Sequence, residues 1–188
     1  MNKFKLRKCF NLIYLFTSDV YQEEIPLIKG HKIKSGVTLP TEFSITFDLW
    51  VHTAPGTQTN ILRFENDGSK DWHSTEKGYR IPAVFLEGSV PNPRLNVIFK
   101  VGTNANKYHM TPNTPTGVPL DTLLQVKIEQ VTDSPHKFRF SINDTWWKIE
   151  STQDAAEEYQ NVNVWASEAL RYNPADVTLK RLLILPGK

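Results

Sequence analysis

The strongest constraint on the fold is a ten-residue stretch, residues 43–52 (FSITFDLWVH), in which apolar and polar side chains alternate. Successive side chains of an extended chain point to opposite sides, so a period of two gives each face of a strand its own set of side chains. The pattern therefore predicts a half-buried β-strand. Its apolar face consists of Phe43, Ile45, Phe47, Leu49 and Val51.

Similar runs recur along the rest of the chain, with turn-forming residues between them. Asn143-Asp144 predicts a tight hairpin, because both residue types tolerate a positive φ. Pro82 interrupts a run, which predicts an edge strand or a bulge at that point. About ten strands with alternating faces predict an all-β protein, an antiparallel β-sandwich. The further predicted strands are residues 59–65, 79–86, 94–101, 123–131, 136–142, 146–149, 161–166 and 177–185.

One short segment and five long loops complete the prediction. Residues 153–159 (QDAAEEY) are the only segment whose composition favours a helix. Loops on a rigid sandwich are where binding residues concentrate, so the loops are the first places to search for a site. They are predicted at residues 52–58, 66–78, 88–93, 102–118 and 167–176.

Length and charge narrow the function classes. A chain of 188 residues, 39% of them hydrophobic, suits one domain with a sizeable core. Residues 1–22 carry four basic residues against one acid, so the overall net charge of +2 leaves residues 23–188 at −1. This near-neutral part excludes a binder of phosphate backbones, and no nucleic-acid partner is expected. No apolar stretch approaches the roughly 18–20 residues of a membrane-spanning helix, so no membrane span is expected.

The first residues have the layout of a secretory leader. A basic stretch at residues 3–8 precedes a mostly apolar stretch at residues 9–16. This order predicts that residues 1–22 are a signal peptide or an N-terminal extension, that residues 23–188 form the domain, and that the location is extracellular. The alternative is a basic, partly buried N-terminal strand or helix. Cys9 is the single cysteine of the chain, so it can form neither an internal disulfide nor a cysteine-based metal cluster.

The order of these runs resembles a known family. The runs FSITFDLWV, NILRFENDG, LNVIFKV and FRFSINDTWW, with the closing segment NVNVWASEALRYNPADVTLKRLLIL, are similar to a concanavalin A-like jelly roll of the laminin-G-like or lectin/glucanase group. The resemblance covers residues 24–186 and implies a jelly-roll sandwich. Because this fold hosts lectins, adhesion modules, glycanases and structural domains, the resemblance leaves the function open.

The resemblance includes glucanases, which hydrolyse glycans and whose usual pattern on this fold is E-x-D-x-x-E. The nearest stretch here runs from Glu65 through Asp67 to Lys70, with a lysine in place of the last acid and a predicted turn in place of a strand. Since glycosidases need a pair of carboxylates, no catalytic residue is predicted and the chain is not expected to be an enzyme. The five histidines are scattered without metal-ligand spacing, so they are read as single solvated or hydrogen-bonded side chains.

Calcium binding is an open alternative in the loop that follows residue 65. Domains of the resembled group often carry calcium near loops at one rim, and Asp67 and Asp71 could supply carboxylate oxygens here. Lys70 lies between them and weakens the negative charge. The competing interpretation is a polar turn in which Asn-Asp-Gly serves backbone geometry alone. No cofactor is certain, and calcium is the candidate.

Carbohydrate binding is the second candidate role of the loops. Trp72 lies in a polar loop, where its ring could stack on a sugar while nearby amides and carboxylates bind hydroxyls. The competing interpretation is that Trp72 covers the core. The predicted ligand-binding residues, on a rim formed by loops 66–78 and 167–176, are Asn66, Asp71, Trp72, Tyr172 and Asn173.

One modification motif agrees with an extracellular location. Asn143-Asp144-Thr145 is an N-glycosylation sequon within the predicted hairpin turn. Asn143 is therefore the predicted glycosylation site, which matters only if the chain is secreted.

The sequence thus favours a non-catalytic extracellular binding module, either an adhesion or matrix module or a lectin-like domain that binds carbohydrate through rim loops. The expected partners are glycans or extracellular proteins, and an oligomer or larger assembly is an open alternative. Two other functions also stay open: a structural subunit of an extracellular assembly and, less favoured, a glycan hydrolase on the same scaffold.

Overall fold

The structure, a computed structural model, describes most of the chain after the N-terminal stretch. Residues 1–18, which carry most of the predicted leader, lie outside the described residues, and that leader stays a prediction. Among the described residues no helix is long and apolar enough to cross a membrane. The described residues are 19–66, 78, 80–89, 93–101, 106–110, 117–133, 138–148, 156–167 and 174–187.

Twelve strands of the described chain form two six-stranded antiparallel sheets. Sheet A has the strand order β1-β12-β3-β8-β9-β10, and sheet B has the order β2-β11-β4-β5-β6-β7. The strands are β1 Asp19–Ile25, β2 His31–Leu39, β3 Phe43–Val51, β4 Thr59–Asn66, β5 Arg80–Glu87, β6 Arg94–Val101, β7 Asn106–Met110, β8 Leu123–Gln130, β9 Phe138–Ile142, β10 Thr145–Lys148, β11 Tyr159–Ala166 and β12 Val177–Pro186.

The core lies between the two sheets and is built from the inward side chains of the alternating strands. All five apolar side chains of residues 43–52 are buried there, as the alternation predicts. Phe99 of sheet B and Phe138 of sheet A stack across the interior with ring centroids 4.3 Å apart. Gln130 is a polar side chain that is also fully buried. Its Nε2 donates to the carbonyls of Thr41 and Glu157 at 2.7 and 2.6 Å. The all-β sandwich prediction is confirmed.

The sequence pattern does not predict three of the strands, β1, β2 and β7. Each is an outer strand of its sheet, and β7 occupies part of the predicted loop 102–118, which corrects that prediction. An outer strand has a neighbour on one side only and often carries charged side chains, so its apolar alternation is weak. The sequence HKIKSGVTL of β2 shows this, since most of it stays outside the core.

Two local predictions are resolved by the strand pairing. Pro82 lies in β5, which has neighbours on both sides, and the pairing of β5 with β6 shifts register between Arg80 and Ala83. The bulge is therefore confirmed and the edge strand is wrong. The expected helix at residues 153–159 is wrong where the structure describes it: residues 156–158 have no regular structure, and Tyr159 begins β11 with its side chain in the core. Burial of Tyr159 between the sheets outweighs the helical preference of its neighbours.

The predicted hairpin at Asn143-Asp144 is present between β9 and β10. Both residues have positive φ, 47° and 61°, as a type I′ turn requires. Asn143 also binds the neighbouring strand: its N–H donates to the carbonyl of Gln125 at 2.9 Å, and its Oδ1 accepts from the Gln125 N–H at 2.8 Å. Asn143 is exposed, so the predicted glycosylation site is reachable, and its use stays a prediction.

Candidate functional site

Of the five ligand-binding residues predicted from sequence, the structure describes Asn66. It is the last residue of β4, and its N–H donates to the carbonyl of Gly78 at 2.9 Å, which joins the two ends of loop 66–78. Its Oδ1 is buried and has no hydrogen-bond partner within the described part of the chain. Gly78 has a φ of 86°, and a Cβ there would lie 2.8 Å from the Nδ2 of Asn66, so this position needs glycine. Asp71, Trp72, Tyr172 and Asn173 lie outside the described residues.

The strand pairing separates the ends of the two predicted binding loops. Asn66, where loop 66–78 begins, pairs with Val162 near the start of β11. Ser167, where loop 167–176 begins, donates its N–H to the carbonyl of Ile61 near the start of β4. These points are five residue steps apart along each strand, roughly 17 Å at about 3.4 Å per residue. The two loops therefore leave sheet B at opposite ends, which does not support the single rim expected from the sequence.

The metal prediction is not tested by the described residues. They hold no group of three or more His, Cys, Asp or Glu side chains that could bind a metal ion. Asp67 and Asp71, the predicted calcium ligands, lie outside these residues, so that site stays a prediction. Two histidines are hydrogen-bonded as expected: His31 Nδ1 lies 2.8 Å from the carbonyl of Pro26, and His52 contacts two side chains.

The outward face of sheet B carries a row of side chains that the sequence analysis did not single out. The antiparallel register places one residue from each of five neighbouring strands directly opposite the next. Because residues paired in this way point to the same face, they form one continuous line across the sheet. In order across the strands they are Lys32, Trp165, Arg63, Ala83 and Ile98.

Trp165 is the centre of the polar half of this row. Its Nε1–H donates to Glu65 Oε1 at 2.7 Å, while the other carboxylate oxygen of Glu65 lies 2.9 Å from Arg63 Nη2. Lys32 Nζ lies 4.6 Å from the centre of the indole ring, and Arg63 Cζ lies 5.8 Å from it, both within reach of a cation–π contact. We call Lys32, Arg63, Glu65 and Trp165 the Trp165 cluster.

The Trp165 cluster extends from the interior to solvent. The side chains of Arg63 and Glu65 are only 8% and 9% exposed, although they point away from the core. Trp165 is half-buried and Lys32 is exposed. Removing a carboxylate and a guanidinium from water costs free energy unless they pair, and such paired, buried charges concentrate at functional sites. A ligand would reach this cluster from the side of β2 and β11.

The other half of the face is apolar. Ala83, Phe85 and Ile98 form a small buried cluster that is separate from the main core, and we call it the outer apolar patch. Arg80 Cζ lies 5.0 Å from the centre of the Phe85 ring, and Asn96 is paired in register with Phe85. The outer apolar patch on sheet B therefore has a cation and an amide side chain beside it.

The sequence contained a partial signal for this site. Arg63 and Glu65 alternate with the core residues Leu62 and Phe64, so their outward direction follows from the period of two. The alternation of side chains does not predict which strands are neighbours in the sheet. Glu65 ends the predicted strand 59–65 and lies within β4 as expected, but its contact with Trp165, on a strand one hundred residues later, does not follow from the spacing.

The outward face of sheet A differs, because it is open and grooved. Two adjoining cavities of about 410 and 620 Å³ run along it and share Thr46, Lys127 and Leu183 in their walls. Ion pairs lie in their walls: Arg181 pairs with Asp48. Both Lys127 and Arg139 contact Glu129, at 2.5 and 3.0 Å.

Comparison with known proteins identifies the fold. No family model and no curated protein sequence matches the chain. Among solved structures, the carbohydrate recognition domain of Emp47p is 10% identical with a TM-score of 0.54, and the match covers 91% of this chain and 89% of that one. A variant of alginate lyase Aly36B in complex with alginate trisaccharide is 12% identical with a TM-score of 0.53, covering 91% and 88%. An alginate lyase from Pseudomonas aeruginosa is 12% identical with a TM-score of 0.50; the match covers 77% of this chain and 64% of that lyase, less than two thirds of its length.

These likenesses define the fold of the protein. The chain has the concanavalin A-like jelly-roll fold, as its resemblance to that group implies. At 10–12% identity the likeness establishes the fold and leaves the activity to the site itself.

Proposed function

We propose that this protein is a non-catalytic glycan-binding module and that the Trp165 cluster is where it contacts the glycan. The observation that carries the proposal is a half-buried tryptophan fixed by a carboxylate and flanked by two cations on the outward face of a rigid sheet. An indole ring offers an apolar surface to a sugar, and fixed polar groups around it set orientation and specificity.

The charge of the cluster favours an acidic glycan. Lys32 is the exposed cation of the cluster, and its ammonium lies 4.6 Å from the centre of the indole ring. A carboxylate or sulfate of a sugar stacked on the ring can pair with this ammonium group. The structural similarity to a lyase in complex with alginate trisaccharide supports this choice, since alginate is a chain of uronates.

The state of Glu65 supports binding without catalysis. Each of its two oxygens is held, one by Trp165 and the other by Arg63. A carboxylate occupied in this way holds its neighbours in place and is poorly suited to proton transfer to a substrate. The loop residues predicted from sequence, Trp72 and Tyr172 among them, would add contacts to a longer glycan and stay predictions.

Titration calorimetry with alginate oligosaccharides and with a neutral glucan of equal length tests the proposal. We expect the acidic chain to bind more tightly, with an affinity that falls as salt is added. Lys32→Ala, on an outer strand, should weaken binding about tenfold. Lys29→Ala, which removes another exposed charge three residues away, should change it less than about twofold.

The same samples test for catalysis. An elimination reaction on a uronate chain leaves an unsaturated end that absorbs ultraviolet light, and a hydrolase leaves new reducing ends. We expect neither product. Equal binding by Lys32→Ala and Lys29→Ala, no binding of acidic glycans, or shortening of the chains would each overturn the proposal.

A further inference from the structure

A second group of side chains lies at one end of sheet A, on the opposite sheet from the Trp165 cluster. It consists of Trp50, His52, Asp121 and Thr178, and we call it the His52 cluster. Trp50 and Thr178 are paired in register on β3 and β12, and His52 directly follows β3. Trp50, His52 and Thr178 are half-buried and Asp121 is exposed, so the cluster opens to solvent.

Hydrogen bonds fix the imidazole of His52 between two partners. Its Nδ1 lies 3.4 Å from Asp121 Oδ1, and its Nε2 lies 2.9 Å from Thr178 Oγ1. The backbone holds the same segments together: Asp121 N–H donates to the carbonyl of Val51 at 2.8 Å, and His52 N–H donates to that of Asp176 at 3.0 Å. The polar groups are therefore held in place before any ligand arrives, which reduces the entropy lost on binding.

An apolar surface lies beside these polar groups. The rings of Trp50 and His52 have centroids 6.3 Å apart and planes within 23° of parallel. On the other side, Trp50 is paired in register with Leu123, whose side chain is 40% exposed. Among the described residues Leu123 is one of two large apolar side chains with such exposure. Trp50 and Leu123 thus form a flat apolar surface with a polar border.

We propose that the His52 cluster is a second glycan-contact site and that it takes an uncharged sugar ring. The C–H face of a pyranose would lie on Trp50 and Leu123, and its hydroxyls would reach the carboxylates of Asp121 and Asp176. Asp176 belongs to this border because its carbonyl accepts from the His52 N–H at 3.0 Å, and its Oδ2 accepts from Thr53 Oγ1 at 3.1 Å. Two carboxylates accept hydroxyl hydrogens and repel uronates or sulfates, so the charge complementarity is opposite to that of the Trp165 cluster.

The order carboxylate, imidazole, hydroxyl also occurs in the triads of acyl-transfer enzymes. In those sites a buried carboxylate orients the imidazole, whereas the side chain of Asp121 is 75% exposed and its oxygen is 3.4 Å from the ring. The geometry suits orientation of His52 for ligand binding better than activation of Thr178. Absence of ester hydrolysis by the chain is therefore part of the expectation.

The test is amide and indole NMR of the full chain, titrated with neutral oligosaccharides of glucose, mannose and N-acetylglucosamine and, separately, with alginate oligosaccharides. We expect at least one neutral chain to shift the Trp50 indole signal and to leave the Trp165 signal unchanged. Trp50→Ala should weaken that binding at least about tenfold. Thr178→Val preserves strand shape and should weaken it about threefold by freeing His52.

Lys32→Ala is the control, because it lies on the other sheet and should leave the neutral binding unchanged. A neutral response that survives in Lys32→Ala, while the acidic response is lost, separates this site from the proposed function. The proposal is wrong if no neutral chain shifts the Trp50 signal, if alginate shifts it instead, or if Thr178→Val binds as tightly as the parent chain.

Discussion

The ion pairs on the outward faces of the two sheets differ in how far their side chains are exposed to solvent. On sheet B, Glu65 and Arg63 pair while almost fully buried, and Trp165 holds the carboxylate in place. On sheet A, Glu129 meets two cations, Lys127 and Arg139, that are 39% and 35% exposed. A buried pair depends on both partners, whereas a pair in water can be replaced by solvent. Carboxylates and cations therefore build a fixed site on one face and line a solvent-exposed groove on the other.

The largest expected effect separates these two ion pairs. Arg63→Ala should lower the free energy of unfolding by roughly 3–5 kcal/mol, because it removes the guanidinium that lies 2.9 Å from the buried Glu65 carboxylate. Arg139→Ala on sheet A should cost less than about 1 kcal/mol, because Lys127 still contacts Glu129. Urea unfolding of the two variants measures both values. Equal losses would mean that the two faces do not differ in this respect.

A smaller effect tests whether the outer apolar patch behaves as core. Phe85 is fully buried although it points away from the space between the sheets. Phe85→Leu should therefore cost about 1–2 kcal/mol from lost packing. Leu123→Ala, at the exposed end of sheet A, should change the free energy of unfolding by no more than about 0.5 kcal/mol. Thermal unfolding would contradict this if Phe85→Leu melted at the temperature of the parent chain.

The smallest effect concerns the hairpin on sheet A that carries the sequon. Asn143→Gly keeps the positive φ and the backbone bond but loses the side-chain Oδ1 that accepts from the Gln125 N–H, so it should cost about 0.5–1 kcal/mol. Asn143→Ala loses the same bond and adds backbone strain, so it should cost about 1 kcal/mol more. Neither variant should alter glycan binding at the Trp165 cluster. If both variants were equally stable in urea, the backbone of Asn143 would not be strained.

Prediction from the sequence succeeded where a strand has neighbours on both sides. The alternation in β3 is complete because its apolar side chains all enter the core while its polar ones face outward. It failed at β1, β2 and β7, three of the four outer strands of the described sheets, where too little apolar surface is buried to require a regular pattern. It failed again at Tyr159, because a helical preference of a few tenths of a kcal/mol per residue cannot compete with burial of an aromatic ring.

The contacts within the candidate sites also could not be predicted from the sequence alone. Arg63 and Glu65 can be assigned to an outward face from their spacing alone, but their contact with Trp165 cannot, since it joins residues one hundred positions apart. The same holds for His52, which meets Thr178 across 126 positions of chain. The loop tryptophan drew attention because loops are usually exposed, whereas the strand tryptophans Trp50 and Trp165 are the ones that the described structure places beside polar partners.

By itself, the sequence determined that this chain forms strands, which side chains enter the core and where the tight hairpin lies, because these follow from the period of the backbone and from the local φ preferences of Asn and Asp. The tertiary structure decided which strands are neighbours. Sheet order brings Lys32, Arg63 and Trp165 into one row, and it also places the ends of loops 66–78 and 167–176 far apart. The physical reason is that hydrogen bonds between strands set a register that local sequence does not encode.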